Sequence, residues 1–245
     1  MRTYTRRQAL KFGGLSLTLS PFLLLQACDE VDQAVEEAKG VATTVSEAAF
    51  SLSVCPVPTD KVTSANWYGN TELAYTKRRE WYAELQGFHS GVDWLLPVRS
   101  QVISGVVGNG TVLSVDGKPA PNAWGSEPNA VAVQYRDFIV LYGHLSEARV
   151  TPGMEVRRDT VLGLSGTGQG TPHLHLEVIR RDKNTSAGQR PGSVRTNPVK
   201  YFSPALLQFT TEMAKGSTFH ANSKNEWLKP SEQPDITPGK THYFP

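Results

Sequence analysis

The sequence predicts a mainly β, antiparallel sandwich-type domain preceded by a helical stalk. Three observations predict it. Short segments rich in Val, Ile and aromatics recur at 92–98, 101–107, 111–115, 131–135 and 138–142, the composition of half-buried strands. Turn chemistry separates them at Gly108-Asn109-Gly110, Asp116-Gly117 and Arg136-Asp137, where Gly, Asn and Asp tolerate tight reversals. No helical period runs between the strands, which argues against parallel βαβ units.

Taken in order, residues 1–28 stand apart from that fold. Thr5-Arg6-Arg7-Gln8-Ala9-Leu10-Lys11 resembles a twin-arginine export signal, and Leu25-Gln26-Ala27-Cys28 resembles a lipoprotein cleavage box. The apolar stretch 12–25 between them is short and broken by Gly13, Gly14 and Pro21, a poor membrane span. The expectation is a signal at 1–27, cleavage before Cys28, acylation of that cysteine and a location on the outer face of the cytoplasmic membrane; an uncleaved signal anchor is the alternative. Arg2, Arg6, Arg7 and Lys11 all lie in the signal. Without these four, the 25 basic residues become 21 against 23 acidic ones. The mature chain therefore has no basic surplus to suggest a nucleic-acid partner.

From Asp29 to Phe50, Val31, Val35, Ala38, Ala42, Val45 and Ala49 recur at helical spacing. Residues 28–64 are read as a lipid-anchored helical stalk and linker, with a helix lying against the domain as the bland alternative. Pro56 and Pro58 mark a break. With Cys28 acylated, Cys55 has no cysteine partner in the chain and is expected to be a buried thiol.

Residues 65–210 are read as one domain and 211–245 as a polar tail with little core of its own. Trp67, Tyr68, Tyr75, Trp81 and Tyr82 crowd its first stretch; packing against the sheet is favoured over a cleft wall. The loop 118–129, rich in Pro and Gly, exceeds what a hairpin needs and suggests a site-shaping role. Gly166-Thr167-Gly168-Gln169-Gly170 lacks the Lys and the following helix of a phosphate loop and reads as a tight approach to the next strand. Residues 180–196 are polar and basic, a loop, and a short helix is expected to end near Met213.

Pro172-His173-Leu174-His175-Leu176-Glu177-Val178 is the most informative stretch. In an extended strand, residues two apart share a face. His173, His175 and Glu177 therefore point one way, and Leu174, Leu176 and Val178 point to a core. Upstream, His89-Ser90-Gly91-Val92-Asp93 sets an imidazole and a carboxylate on one face. Tyr142-Gly143-His144-Leu145 follows an apolar run with a third imidazole. Two His and one Asp are a common recipe for a catalytic zinc site, which keeps its fourth position open, whereas structural sites close with four ligands, often thiolates. Spacing alone does not choose between His173 and His175.

These motifs, H-x-G-x-D, Y-G-H-L and P-H-L-H-L-E-V in that order, resemble the LytM/lysostaphin family of zinc metallopeptidases that cut peptidoglycan peptides. The resemblance covers about Gly87 to Val178 plus Asn197-Pro198-Val199. Thr171, Leu176 and Asp159 depart from its usual Gly, Phe and Gly, none at a metal-site position. It implies a lysostaphin-like barrel-sandwich hybrid (duplicated hybrid motif), with Val150–Val156 and Val161–Gly163 resembling the hammerhead turn of lipoyl-type sandwiches. It implies Zn2+ on His89, Asp93 and His175, with His144 and His173 as catalytic groups. Glu177 is a candidate to support a ligand, and Tyr82 is the nearest counterpart of a Tyr that helps hold the oxyanion. With no H-E-x-x-H present, proton handling falls to the two histidines. The implied partner is a peptidoglycan peptide, acted on by a monomer. The rival from another class is a non-catalytic module that regulates cell-wall amidases. A carrier domain is weaker, since Gly153-Met154 offers no modifiable Lys.

Overall fold

The structure, a computed structural model, describes residues 50–119, 121–124, 129–181, 193–222 and 224–237. The signal, Cys28 and the stalk helix expected at 29–50 lie outside these residues, apart from Phe50. No described helix is long and apolar enough to cross a membrane.

The strands are β1 (Ser64–Asn66), β2 (Val92–Leu95), β3 (Gln101–Ile103), β4 (Gly110–Val115), β5 (Ala130–Tyr135), β6 (Phe138–Gly143), β7 (Leu145–Ala148), β8 (Glu155–Val156), β9 (Val161–Gly168), β10 (Thr171–Arg180) and β11 (Arg195–Thr196). The helices are α1 (Glu72–Thr76) and α2 (Pro204–Met213). Every ladder between these strands is antiparallel. The main sheet runs β1-β2-β10-β6-β5-β4-β8, and β11 pairs with the far part of β10. A smaller set, β3-β9-β7, joins it where β9 turns into β10. This is the mainly β, antiparallel fold that the strand pattern predicts.

Period-2 alternation builds the core. Val92, Trp94, Leu174, Leu176 and Val178 are fully buried, and they share their cluster with Val102, Leu145 and Leu162 of the smaller set. Burying each such side chain contributes on the order of 1.5–3 kcal/mol. The turns follow residue chemistry: Asp116-Gly117 and Gln169-Gly170 both have positive φ (51° and 70°, 47° and 78°), as tight hairpins need. Helix α2 begins at Pro204, with the Ser203 hydroxyl accepting from the Leu206 N–H at 3.2 Å. Beside it, the Trp94 indole donates to Thr210 Oγ1 at 3.2 Å.

Two boundaries differ from the sequence reading. Leu52, Val57 and Val62 are buried in the core, so the packed body starts well before residue 65. The compact unit that includes it spans Ala48–Pro245. The segment read as a polar tail also packs: Ile236 is fully buried and its backbone pairs with Arg195 in both directions at 2.8 Å. Polar bonds do the rest. Asn197 Nδ2 donates to the carbonyls of Pro230 and Gln233 at 2.7 and 3.1 Å, and Asp235 accepts from Thr196, Asn197 and Lys200. Hydropathy patterns do not register such bonds. Cys55 is half-buried and unpaired among the described residues, and burial pushes its thiol up to about 12, which makes it unreactive.

Burial alone would raise the Asp235 carboxyl, but the Asn197 N–H and its other donors hold it below the usual value. A depressed carboxylate stabilises the fold above its unfolded pKa of about 4, and that contribution fades as pH falls through the lower folded value. Asp235→Ala is expected to destabilise the protein at pH 7 by about 1 kcal/mol. In denaturant titrations the gap to wild type narrows below about pH 4, whereas a merely steric role predicts a constant gap.

Candidate metal centre

Register brings the site together. On β10, His175 lies opposite Asp93 of β2 on one side and opposite Gly143 of β6 on the other. His144 follows Gly143 directly. Its backbone takes φ 57° as the chain leaves the main sheet for β7, a left-handed conformation that His enters more readily than most residues. His89 precedes β2 and is tied to Gly69 by two backbone bonds of 2.8 and 2.9 Å.

Donor atoms of three residues converge. His89 Nε2 lies 3.1 Å from His175 Nδ1 and 3.1 Å from Asp93 Oδ2, and His175 Nδ1 lies 2.7 Å from Asp93 Oδ1. All three residues are buried. Nitrogen and oxygen ligands at about 2.0–2.2 Å from a tetrahedral ion sit about 3.3 Å apart, so this donor set is near the spacing that a divalent ion such as zinc takes.

The partners of the other ring atoms fix which nitrogen is free. His89 Nδ1 faces the Trp67 carbonyl at 2.6 Å, which only accepts, so that nitrogen carries the proton and Nε2 is left for a ligand role. His175 Nε2 lies 3.3 Å from Glu177 Oε1, so Nδ1 is the nitrogen that faces His89 and Asp93. His173 Nδ1 donates to the Thr171 carbonyl at 2.9 Å, so its Nε2 faces the centre, 3.8 Å from Asp93 Oδ1. Of the two strand histidines, which spacing does not separate, His175 lies nearer to Asp93 Oδ1 than His173 does, 2.7 against 3.8 Å. A second grouping, His144, His173 and His175, also meets the distance limits for holding an ion, but it lacks a carboxylate.

The electrostatics follow burial. Burial alone would raise the Asp93 carboxyl; His89 and His175 hold it well below the usual range. Burial pushes His175 down, but Asp93 outweighs it and brings the ring up to about 9. His144 falls to about 3, first through burial and then through the neighbouring imidazoles, and His173 is also lowered by burial. At neutral pH both of these rings are uncharged and able to accept a proton. Their centroids are 4.6 Å apart.

Glycines make room for the rings. A Cβ on Gly91 would fall on the Leu176 carbonyl oxygen and 2.7 Å from His175 Nε2. One on Gly168 would sit 2.5 Å from His144. Gly91→Ala is expected to cost about 1–3 kcal/mol of stability and to reduce zinc occupancy. Thermal unfolding with and without zinc measures both, and wild-type values would mean that the ring has room to move aside.

Several residues at the site were not apparent from the sequence. Glu177, suspected as a support, is fully buried and also takes bonds from Ser90 Oγ, Trp124 Nε1 (2.9 Å) and Arg195 Nε (3.2 Å). Trp124 comes from the loop 118–129 and Arg195 from the segment read as a polar loop; only a Trp in a Pro/Gly-rich loop could have hinted at the first. The aromatic stretch divides: Trp67 and Tyr68 are core, while Trp81 and Tyr82 line the cleft. The Tyr82 ring lies 5.8 Å from that of His89, and burial, then Asp93, raise its hydroxyl so that it stays protonated. The open cleft over the site measures about 1300 Å3.

Fold and site together define an antiparallel β domain whose cleft carries residues able to hold a metal ion. Residues 87–187 match the model of Peptidase family M23, a family whose peptidases depend on zinc. Among solved structures, the chain is similar to a mutant catalytic domain of the prophage-encoded M23 protein EnpA from Enterococcus faecalis: 24% identity over 46% of this chain and 78% of that one, TM-score 0.35. It is similar to a zinc-containing peptidase from Vibrio cholerae at 26% identity, over 55% of this chain and 38% of that one, TM-score 0.41. The catalytic domain of lysostaphin from Staphylococcus simulans matches at 20% identity, over 54% and 90%, TM-score 0.39.

Proposed function

We propose that the protein is a zinc metalloendopeptidase of the cell envelope, held at the outer face of the cytoplasmic membrane by acylated Cys28, that hydrolyses peptide bonds in peptidoglycan stem or cross-bridge peptides. One observation carries the reading: His89, Asp93 and His175 bring ligand atoms to within 2.7–3.1 Å of each other pair by pair, beside the His144 and His173 rings in an open cleft. His89, Asp93 and His175 would hold Zn2+, which when bound supplies Lewis acidity toward a peptide carbonyl and makes hydroxide available near neutral pH. His173, its Nδ1–H committed to Thr171, offers Nε2 to accept a proton from the attacking water. His144, packed 4.6 Å from it, is placed to pass a proton to the leaving amine, and either ring can steady the oxyanion. Tyr82 stays protonated and is a further donor toward the same side.

A binding module that regulates amidases is the second reading. Such modules have degenerate sites, and here all five residues are in place, which supports the enzyme. Purified protein incubated with sacculi, with products read by mass spectrometry, tests the proposal. New amino termini in stem or cross-bridge peptides are expected; zinc bound without any cleavage would favour the module. The mass of the N-terminal peptide from membranes tests the anchor, with acylated Cys28 expected.

A further inference from the structure

The cluster around Glu177 goes beyond what the proposed reaction uses. Glu177 is a fully buried carboxylate, and such a group persists only where donors surround it. Oε1 takes the Trp124 indole N–H at 2.9 Å, the Ser90 hydroxyl and, at 3.3 Å, His175 Nε2; Oε2 takes Arg195 Nε at 3.2 Å. Trp124 is itself held from three sides. Its backbone N–H donates to Asn122 Oδ1 at 2.8 Å. Arg195 Nη2 bonds the carbonyl of the preceding Ala123 at 3.0 Å. Its ring lies on Gly143, where any Cβ would overlap the indole. From there the ring meets His144 and His175 at centroid distances of 4.9 and 5.4 Å.

Two atoms of this group lie on a ligand nitrogen: Glu177 Oε1 and Ser90 Oγ, 3.3 and 3.4 Å from His175 Nε2. Carboxylates in that position fix the tautomer and ring angle of a ligating imidazole. Arg195 holds the other oxygen, and Ser90 is on a rotatable hydroxyl. The indole N–H, on a rigid ring with a fixed backbone, sets the position of Oε1.

We propose that Trp124 is a positioning residue for the metal centre: it holds Glu177 in line with the His175 Nε2–H and so keeps His175 Nδ1 aimed at the ion. The inference rests on His175 being a zinc ligand.

Trp124→Phe keeps a ring on Gly143 and removes the donor. In the full chain, chelator competition with Zn2+ is expected to give a dissociation constant about 10-fold weaker than wild type, while the metal-free unfolding midpoint stays within about 4 °C. The long-range 1H–15N spectrum of the zinc-loaded protein, which reports histidine tautomers, is expected to show the His175 Nε2–H signal shifted or broadened, with that of His89 unchanged. Wild-type zinc affinity and an unmoved His175 signal in Trp124→Phe would overturn the inference alone. A lowered midpoint with wild-type affinity would also overturn it, since that is what a packing role predicts. Wild-type protein that binds no zinc would overturn the metal-site reading together with it. Glu177→Gln is a poorer probe, because it leaves buried Arg195 without its counter-charge.

Discussion

Replacing His144 or His173 by Ala is expected to leave one zinc per chain and to lower peptide cleavage by about 10^2–10^4-fold. The reasoning is geometric. Neither ring belongs to the His89–Asp93–His175 convergence, yet they lie 4.6 Å apart at its side. Both are uncharged at neutral pH, because burial in each case disfavours the imidazolium. A neutral imidazole in that place is a proton acceptor, and truncation to Ala removes it while sparing the three donors. The two rings serve one proton path, so the double variant is expected to lose little more than the worse single one. Metal content and initial rates on purified muropeptides check both statements. Variants that cleave at the wild-type rate would show that proton transfer runs elsewhere.

Asp93→Ala is expected to have the opposite profile, losing zinc first and activity as a consequence. Asp93 is the one carboxylate among the converging donors, and its oxygens lie 2.7 and 3.1 Å from the two ligand imidazoles. Without it, two neutral nitrogens remain to hold a dication in a buried setting. Zinc affinity should fall by more than the roughly 10–100-fold that an outer-sphere partner is worth. Chelator competition on Asp93→Ala beside His173→Ala separates the roles: the first should lose metal, the second should keep it. Equal affinities in the two variants would mean that Asp93 is not a ligand.

Local pattern carried much of this into view from the sequence. The alternation of 172–178 reads directly as a strand with an imidazole face and an apolar face, because a strand has period 2 and both rows are pure. Leu174, Leu176 and Val178 are indeed fully buried. The order of the three histidine motifs carried the family. Pairing between distant strands was not legible. His175 meets Asp93 and Gly143 only through the register of β10 against β2 and β6. Spacing also does not separate His173 from His175, since both share a face; their distances to Asp93 Oδ1, 3.8 and 2.7 Å, arise only in the folded chain. Trp124 and Arg195 reach the site from segments that read as loops, and their partner Glu177 lies 53 and 18 residues away in the chain. The stretch ending at Ile236 looked like a tail because Asn197 and Asp235, not an apolar stripe, tie it down.

Diffraction from zinc-loaded crystals, recorded on both sides of the zinc absorption edge, puts the central claim to its most direct trial. The account predicts one anomalous peak about 2.0–2.2 Å from His89 Nε2, an Asp93 oxygen and His175 Nδ1, with His144 and His173 beside it and not bonded to it. A peak held by His144 and His173, or none near Asp93, would contradict it.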